Sequence, residues 1–281
     1  MFTIACESSA DLSKELYEKY DIKVIPFTIM VNGEERKDGI NITLPELYES
    51  VAKTNELPKT AAINSMEYKE FWEANANPEG IIHFSISSKV SLACSNATAA
   101  ASEMENVHVI DTQSLSTGIG LQVLYACKLR DEGYSIEEVV EKVKARVNQV
   151  QISFVIEKLN FLHKGGRCSS LQLLGANILG IRPSIAMKDG TLGMHKKYKG
   201  KMNKVVGDYL QDTITEFNNI DDSMCFITYS TATPEMLDTA RDFLANNVGF
   251  KNVFYTNAGC TVGTHCGPNT LGIIYYNGKE A

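Results

Sequence analysis

Hydroxyl side chains crowd one short segment of the chain. Residues 85–91 read Ser-Ile-Ser-Ser-Lys-Val-Ser, so four serines directly follow an apolar run. One serine at the start of a helix is explained as an N-cap, but a cap does not need four hydroxyls. The free N–H groups of a helix N-terminus form an anion site beyond the carboxyl end of a strand. The segment therefore predicts a site for a carboxylate or a phosphate.

Three other segments place polar residues among turn-forming ones. They are Leu57-Pro-Lys-Thr60, Lys164-Gly-Gly-Arg167 and Gly263-Thr-His265-Cys-Gly-Pro268. A histidine in a glycine-bracketed turn is most often an ordinary surface or core residue, and glycines beside an arginine often only permit a left-handed turn. Periodicity alone does not join these segments into one site.

Two catalytic interpretations remain open beside anion binding. Ser91 as nucleophile with His265 as base would make an acyl hydrolase or transferase, and a phosphorylated His265 would make a phosphocarrier. Ser91 lacks the Gly-x-Ser-x-Gly context of a nucleophile elbow, and no acid is evident to orient His265. Both interpretations are therefore alternatives to a binding site.

Standard nucleotide and metal motifs are missing from the sequence. Gly118-Ile-Gly120 lacks the third glycine of a dinucleotide fingerprint, and no Gly-Lys-Ser/Thr follows a glycine loop. The spacing of Cys260, His265 and Cys266 matches no standard zinc site. We therefore expect no cofactor and no metal.

Composition and charge exclude several classes of protein. The 281 residues are 44% hydrophobic and carry a net charge of −7, which indicates a folded globular protein and argues against a surface built for nucleic acid. No apolar run is long enough for a membrane span, and the N-terminus does not resemble a signal peptide. The seven cysteines include no C-x-x-C pair, so we expect free thiols and a cytoplasmic location.

Apolar and amphipathic segments alternate along the chain, which is typical of an α/β protein. In the first part we predict strands over residues 3–6, 23–31, 81–86 and 107–110, with a hairpin turn at Asn32-Gly33. Capping boxes predict helices that start at Thr43 and Ser135, and further helices cover residues 91–104 and 116–130. In this part, helices mostly follow strands, so we expect a mostly parallel sheet flanked by helices.

Glycine turns and shorter strands appear after residue 150. The second part predicts strands over residues 182–187, 223–229, 252–256 and 271–277, a hairpin at Asp189-Gly190, and helices over 203–217 and 234–247. This pattern is typical of a mixed sheet with helices. We place an N-terminal α/β domain at residues 1–157, which carries the serine-rich segment, and a C-terminal α/β domain at residues 158–281, which carries His265.

Seven segments resemble, in order, those of the DegV family. They are Glu7-Ser-Ser-Ala-Asp11, Pro58-Lys-Thr60, Ser87-Ser-Lys-Val-Ser91, Val109-Ile-Asp-Thr112, Lys164-Gly-Gly-Arg167, Ile181-Arg-Pro183 and Gly263-Thr-His265-Cys-Gly-Pro-Asn-Thr270. Each segment alone is a weak signal, but together they span nearly the whole chain. The resemblance implies the two-domain DegV-like fold.

The resemblance also implies a function. Members of this family are fatty-acid-binding proteins that hold one long-chain fatty acid in an apolar tunnel, with its carboxylate near the domain junction. They act as the acyl-binding subunit of bacterial fatty acid kinase and present the carboxylate to a separate ATP-dependent kinase. We therefore expect a lipid-binding subunit with no catalytic residues of its own, in agreement with the missing nucleotide motifs.

Carried over residue by residue, the resemblance implies roles for a few side chains. Thr60 and Ser91 look like the hydroxyl donors to the carboxylate, and His265 looks like the polar residue that closes the site. Where the family has glycine and threonine, this chain has Leu92 and Ala93, which make the mouth more apolar. Arg167 is expected at the mouth of the site or facing a partner.

A run of lysines stands out against the acidic background of the chain. Residues 195–204 include Lys196, Lys197, Lys199 and Lys201. A lysine run is most often a solvated face, but the same charges would suit docking to the kinase or transient contact with a membrane surface. We call Lys196, Lys197, Lys199 and Lys201 the lysine strip.

Overall fold

The structure, a computed structural model, describes residues 1–168 and 180–279. The strands are β1 (Thr3–Glu7), β2 (Lys23–Ile25), β3 (Thr28–Val31), β4 (Glu34–Lys37), β5 (Lys59–Ala61), β6 (Ile81–Ser85), β7 (Val107–Asp111), β8 (Val150–Val155), β9 (Ile181–Lys188), β10 (Thr191–Lys199), β11 (Cys225–Tyr229), β12 (Val253–Asn257) and β13 (Leu271–Tyr276).

The helices alternate with these strands through most of the described chain. They are α1 (Lys14–Lys19), α2 (Leu44–Thr54), α3 (Ser65–Ala74), α4 (Ala93–Ala101), α5 (Thr117–Asp131), α6 (Ile136–Arg146), α7 (Leu159–Gly165), α8 (Met202–Glu216), α9 (Pro234–Asn247) and α10 (Cys260–Cys266). The predicted α/β class is confirmed.

Three sheets organise the described chain. The first has the strand order β2-β1-β6-β7 and is parallel throughout. The second, with the order β10-β9-β8-β13-β11-β12, is mixed, because β11 and β12 are parallel and the other pairs are antiparallel. The third is a small antiparallel sheet, β4-β3-β5. A parallel sheet followed by a mixed one is the predicted arrangement.

Local signals explain where several helices begin. The predicted capping boxes form at α2 and α6, where the carboxylates of Glu46 and Glu138 accept from the backbone N–H groups of Thr43 and Ser135, both at 2.8 Å. Both glutamates thereby satisfy an amide that the helix itself leaves free.

The strand predicted over residues 23–31 is wrong as a single element. It consists of β2, which pairs with β1 in the parallel sheet, and β3, which pairs with β4 and β5 in the small sheet. Pro26 lies at the break between them. Proline has no N–H to donate to a ladder, so the chain leaves one sheet there and enters another. The predicted hairpin at Asn32-Gly33 does join β3 to β4.

The strand β8 belongs with the C-terminal strands. It pairs with β13 on one side and with β9 on the other, although it precedes the domain boundary predicted after residue 157. A division that follows the sheets therefore has its boundary before Val150. The division into two domains stays a prediction, and we refer below to the N-terminal part (residues 1–149) and the C-terminal part (residues 150–168 and 180–279).

One apolar cluster runs through both parts. It joins side chains of the parallel sheet, such as Ile82 and Phe84, to side chains of the mixed sheet, such as Phe154 and Phe226. All seven cysteines are free and buried, as expected. Among the residues that the structure describes, no helix has the length and apolar composition of a membrane span.

A buried arginine, Arg146, links the end of α6 to the C-terminal part through hydrogen bonds and a ring contact. The Arg146 guanidinium lies 3.8 Å from the centre of the Tyr276 ring and donates to Asp221 at 2.7 Å and to the Gly278 carbonyl at 2.8 Å. Burial alone would raise the pKa of Asp221, but hydrogen bonds from Ser223 and Arg146 outweigh it and hold this pKa below its ordinary value. The pair is therefore charged at neutral pH.

We predict that Arg146→Ala lowers the free energy of unfolding by about 3 to 5 kcal/mol, because it leaves the Asp221 carboxylate buried without its partner. Urea unfolding measures the change. The matched control is Arg241→Ala, since Arg241 also pairs with an aspartate but is exposed, and its loss should cost about 0.5 kcal/mol or less. Equal effects of the two substitutions would contradict the role given to Arg146.

Candidate functional site

A cavity of about 210 Å³ lies between the N-terminal and C-terminal parts. It opens beyond the carboxyl end of β6, where α/β sheets commonly bind ligands. Most of its wall is apolar and comes from both parts of the chain. The lining residues are Phe27, Thr60, Ala62, Ile86, Val90, Ser91, Leu92, Leu115, Phe154, Leu162, Arg167, Leu192, Thr261, Val262, His265 and Cys266.

The polar end of the cavity is built around one contact between the two parts. Thr60 Oγ1 and His265 Nε2 lie 3.0 Å apart. Thr60 stands in the middle of β5, whose pairing with β3 fixes its place opposite Ile29. His265 stands on the last turn of α10. Two residues 205 positions apart in the chain thus form one hydrogen-bonded pair.

His265 is neutral at physiological pH. Burial, together with the smaller effect of the nearby Arg167 guanidinium, lowers the pKa of its imidazole to about 4. Its buried Nδ1 atom has no hydrogen-bond partner within the described residues. In the tautomer protonated at Nε2, the ring donates to Thr60, which leaves the threonine proton free for another acceptor.

The backbone of α7 fits closely against the His265 ring. A Cβ atom at Gly165 would lie 2.4 Å from His265 Nδ1, so only glycine allows this approach. The Gly165 carbonyl also accepts from Arg167 Nη1 at 2.7 Å, which directs this exposed arginine along the cavity wall. Arg167 has no carboxylate at ion-pairing distance in the described part of the chain.

Only part of the serine-rich segment faces the cavity. Ser85 donates to the buried carboxylate of Glu7 at 2.5 Å, and Ser87 donates to the Gly190 carbonyl at 2.7 Å. Ser91 lines the cavity, and its Oγ accepts from the Ala93 N–H at 3.1 Å. Because that bond uses an acceptor position only, the Ser91 hydroxyl proton is free to be donated.

Leu92 stands at the mouth of the cavity. It is the residue before α4, and 69% of its surface is exposed, which is unusual for a leucine. The helix predicted to start at residue 91 starts two residues later. The mouth therefore joins an exposed apolar side chain, Leu92, to an exposed cation, Arg167.

A second cavity of about 30 Å³ continues inward from the first. The two share Leu115, Phe154, Val262 and Cys266 as lining residues. Ile152 and Ile274 of the mixed sheet also line the inner cavity. An elongated apolar molecule that begins at Thr60 and His265 would therefore extend toward the mixed sheet.

The lysine strip lies away from this cavity. Lys196 is 3.5 Å from both Asp212 and Glu216 of α8, so its charge is largely compensated. Lys197, Lys199 and Lys201 are exposed and form no ion pair with the residues that the structure describes. The structure thus brings together Thr60, Ser91, Leu92, Arg167 and His265, and separates them from the lysines.

The turn predicted around His265 is wrong, because residues 260–266 form the helix α10. The N-cap residue is Gly259, so the N-cap position lacks the Ser, Thr, Asn or Asp side chain that most often marks a helix start. The acceptors for its first amides are Asp11 and Asp38, far away in sequence. The sequence interpretation also missed Thr261, and no local motif would have assigned it to the cavity.

The geometry does not form a hydrolytic triad. His265 Nε2 is bonded to Thr60 and not to Ser91, and no described carboxylate contacts Nδ1. No cluster of metal-binding side chains occurs among the described residues. What the cavity offers is two hydroxyl donors and a neutral imidazole in a mostly apolar wall, the features of a binding site for an amphipathic acid.

Comparisons with known proteins agree with this α/β fold. The family described as "Uncharacterised protein, DegV family" matches residues 1–278. A DegV domain-containing protein of Clostridium acetobutylicum is 30% identical over 279 residues, which covers 97% of each chain. The chain belongs to the DegV family.

Solved structures show the same fold. A DegV family protein of Thermus thermophilus, described by its fatty acid binding, superimposes with a TM-score of 0.90 at 24% identity, covering 98% of this chain and 99% of that one. A stearic-acid-binding protein of Eubacterium ventriosum superimposes with a TM-score of 0.84 at 24% identity and covers 99% of both chains. The predicted DegV-like fold is confirmed.

We predict that the His265 imidazole titrates near pH 4 in the folded protein, against an ordinary pKa of 6.5. The unfolded chain then binds this proton at higher pH, so folding stability falls as the pH drops from about 6.5 to 4, by up to about 3 kcal/mol. NMR of 15N-histidine-labelled protein follows the ring, and His265→Gln assigns its signal. The variant should lose this part of the pH dependence, and a His265 midpoint near 6.5 would contradict the buried neutral ring.

Proposed function

We propose that this protein binds one long-chain fatty acid non-covalently and presents its carboxylate to a separate fatty acid kinase, which forms the acyl phosphate. The observation that carries the proposal is a cavity that is lined by the Thr60–His265 pair and Ser91 and is otherwise mostly apolar. The solved relatives described as binding fatty acids support it. Under this proposal the protein is a binding subunit and not the catalyst.

The head group is held by hydrogen bonds from neutral groups. The hydroxyls of Thr60 and Ser91 donate to the carboxylate, while His265 orients Thr60 and closes the site. Hydrogen bonds to a charged group contribute about 1.5 to 3 kcal/mol each. A carboxylate held in this way keeps its oxygen nucleophilic, because no proton or metal ion is bound to it.

The tail contributes most of the affinity. Each buried methylene gains about 0.8 kcal/mol, so about ten of them outweigh the two head-group hydrogen bonds. The acyl chain runs along Ile86 and Leu162, and its far end points past Phe154 and Val262 toward the inner cavity. Cavity shape thus selects the tail, and the hydroxyls fix its direction.

The mouth is the place where the carboxylate meets the kinase. Arg167 supplies an exposed positive charge beside the head group, and Leu92 supplies an exposed apolar surface next to it. The nucleotide motifs missing from this sequence are supplied by the kinase. We place the protein in the cytoplasm, where it meets the kinase and makes transient contact with the membrane surface from which fatty acids come.

Native mass spectrometry tests the proposal directly. The delipidated protein should take up one added long-chain fatty acid, and Thr60→Val and Ser91→Ala should each weaken binding about tenfold or more. Ser102→Ala is the matched control, because Ser102 is exposed at the opposite end of α4 and should leave binding unchanged.

Two results would overturn the proposal. A protein that is purified without lipid and takes up no added fatty acid is not a fatty-acid-binding subunit. Turnover of acyl esters that disappears in Ser91→Ala would instead establish the hydrolase alternative.

The exposed members of the lysine strip offer a docking surface for the kinase. We predict that Lys197→Glu combined with Lys199→Glu slows acyl phosphate formation by the kinase about tenfold at low salt, with less effect at high salt, because these charges steer association. Fatty acid affinity, measured in the same preparations, should not change, since neither lysine lines the cavity.

The control carries the same charge change elsewhere. Lys142→Glu combined with Lys144→Glu alters α6, on the N-terminal part, and should leave the reaction rate unchanged. Normal rates in the strip variant would exclude kinase docking there. Normal rates together with lost binding to anionic vesicles would assign the strip to the membrane.

A further inference from the structure

The helix α10 begins without a cap of its own. Its N-cap residue is Gly259, which has no side chain to accept from the first amides. A helix end buried without acceptors would be costly, so these N–H groups need partners from elsewhere. This helix carries His265, and Thr261, Val262 and Cys266 on it also line the cavity.

The missing acceptors come from the N-terminal part. The Asp11 side chain accepts from the Gly259 N–H at 2.8 Å. The two oxygens of Asp38 accept from the Cys260 and Thr261 N–H groups at 2.8 and 3.1 Å, and Asp38 also accepts from the Thr261 hydroxyl at 2.6 Å. Both aspartates are buried. Asp38 therefore acts as an N-cap supplied across more than 220 residues of sequence.

Asp38 also contacts the part of the fold that holds Thr60. It follows β4 directly, and its N–H donates to the Phe27 carbonyl at 3.0 Å. Ser8 Oγ donates to Asp38 at 3.0 Å and accepts from the Phe27 N–H at 3.1 Å. Phe27 lines the cavity and leads into β3, which holds β5 and thus Thr60 in register.

These contacts connect both members of the Thr60–His265 pair to one carboxylate. We propose that Asp38 is a positioning residue for the head-group site, because it holds the helix bearing His265 against the sheet bearing Thr60. The role of Asp38 in ligand binding rests on the proposed fatty acid function. Its role in the contact between His265 and Thr60 does not depend on that function.

Asp11 adds further hydrogen bonds to this arrangement. Burial raises the pKa of Asp11 to about 8, so at pH 7 this group is mainly neutral. Its second oxygen contacts Ser116 Oγ at 2.6 Å, which ties it to the start of α5. The two side chains come close enough that a Cβ atom at Gly259 would lie 3.1 to 3.2 Å from oxygens of both.

The test compares Asp38→Ala with Thr233→Ala. Thr233 is the natural N-cap of α9, whose side chain accepts from the Met236 N–H, and it lies outside the cavity. Each substitution removes the cap of a helix that lies in the C-terminal part, and both should lower the free energy of unfolding. Only Asp38→Ala should also weaken fatty acid binding, by about tenfold, because only α10 carries His265.

A second readout does not depend on the ligand. In 15N-histidine NMR of the ligand-free protein, Asp38→Ala should move the His265 signal and bring its titration midpoint from about 4 toward 6.5. Thr233→Ala should leave both unchanged. If Asp38→Ala does not fold, Asp38→Asn replaces it, because the amide keeps one acceptor oxygen, and its shift should be smaller but in the same direction.

Each outcome decides one question. An unchanged His265 signal and unchanged affinity in the folded Asp38 variants would overturn the positioning role, even where stability falls. A wild-type protein that binds no fatty acid would refute the proposed function, while the movement of the His265 signal would still establish that Asp38 positions this ring.

Discussion

Three backbone amides at the start of α10 depend on carboxylates that lie in the other part of the molecule. Much of the polar site follows from this requirement. The helix cannot be satisfied by residues near it in sequence, so it is completed only when the C-terminal part is docked on Asp11 and Asp38. His265 meets Thr60 in the same docked arrangement. The polar site therefore depends on contacts between residues of both parts.

The sequence predicted the elements whose signals are local. Helices with capping boxes and the hairpin at Asn32-Gly33 appear where the motifs place them, because all the interacting groups lie within a few residues. The helix α10 was missed for the opposite reason, since its cap is remote. Residues 23–31 divide into two strands because each half pairs in a different sheet. The alternation of apolar and polar side chains does not indicate which sheet a strand joins.

The residues of the candidate site were also only partly predictable from local sequence signals. Four serines in seven residues indicated an anion site, but Ser85 and Ser87 bond to Glu7 and Gly190, so much of that signal is structural. Resemblance to a family, and not spacing, brought Thr60, Ser91 and His265 together as candidates. The structure places them around one cavity. Their roles toward a ligand stay predictions of that resemblance.

The strand β13, the last that the structure describes, lies inside the mixed sheet. β13 is flanked by β8 and β11 and connects them through hydrogen bonds on both edges. During synthesis β8 emerges more than a hundred residues before its neighbour β13. The four strands of the parallel sheet, by contrast, are complete by residue 111. The ribosome therefore releases a complete first sheet early, and one edge of β8 stays unpaired while the next hundred or more residues are synthesised. A protein truncated before Leu271 would lack a strand at the centre of its larger sheet.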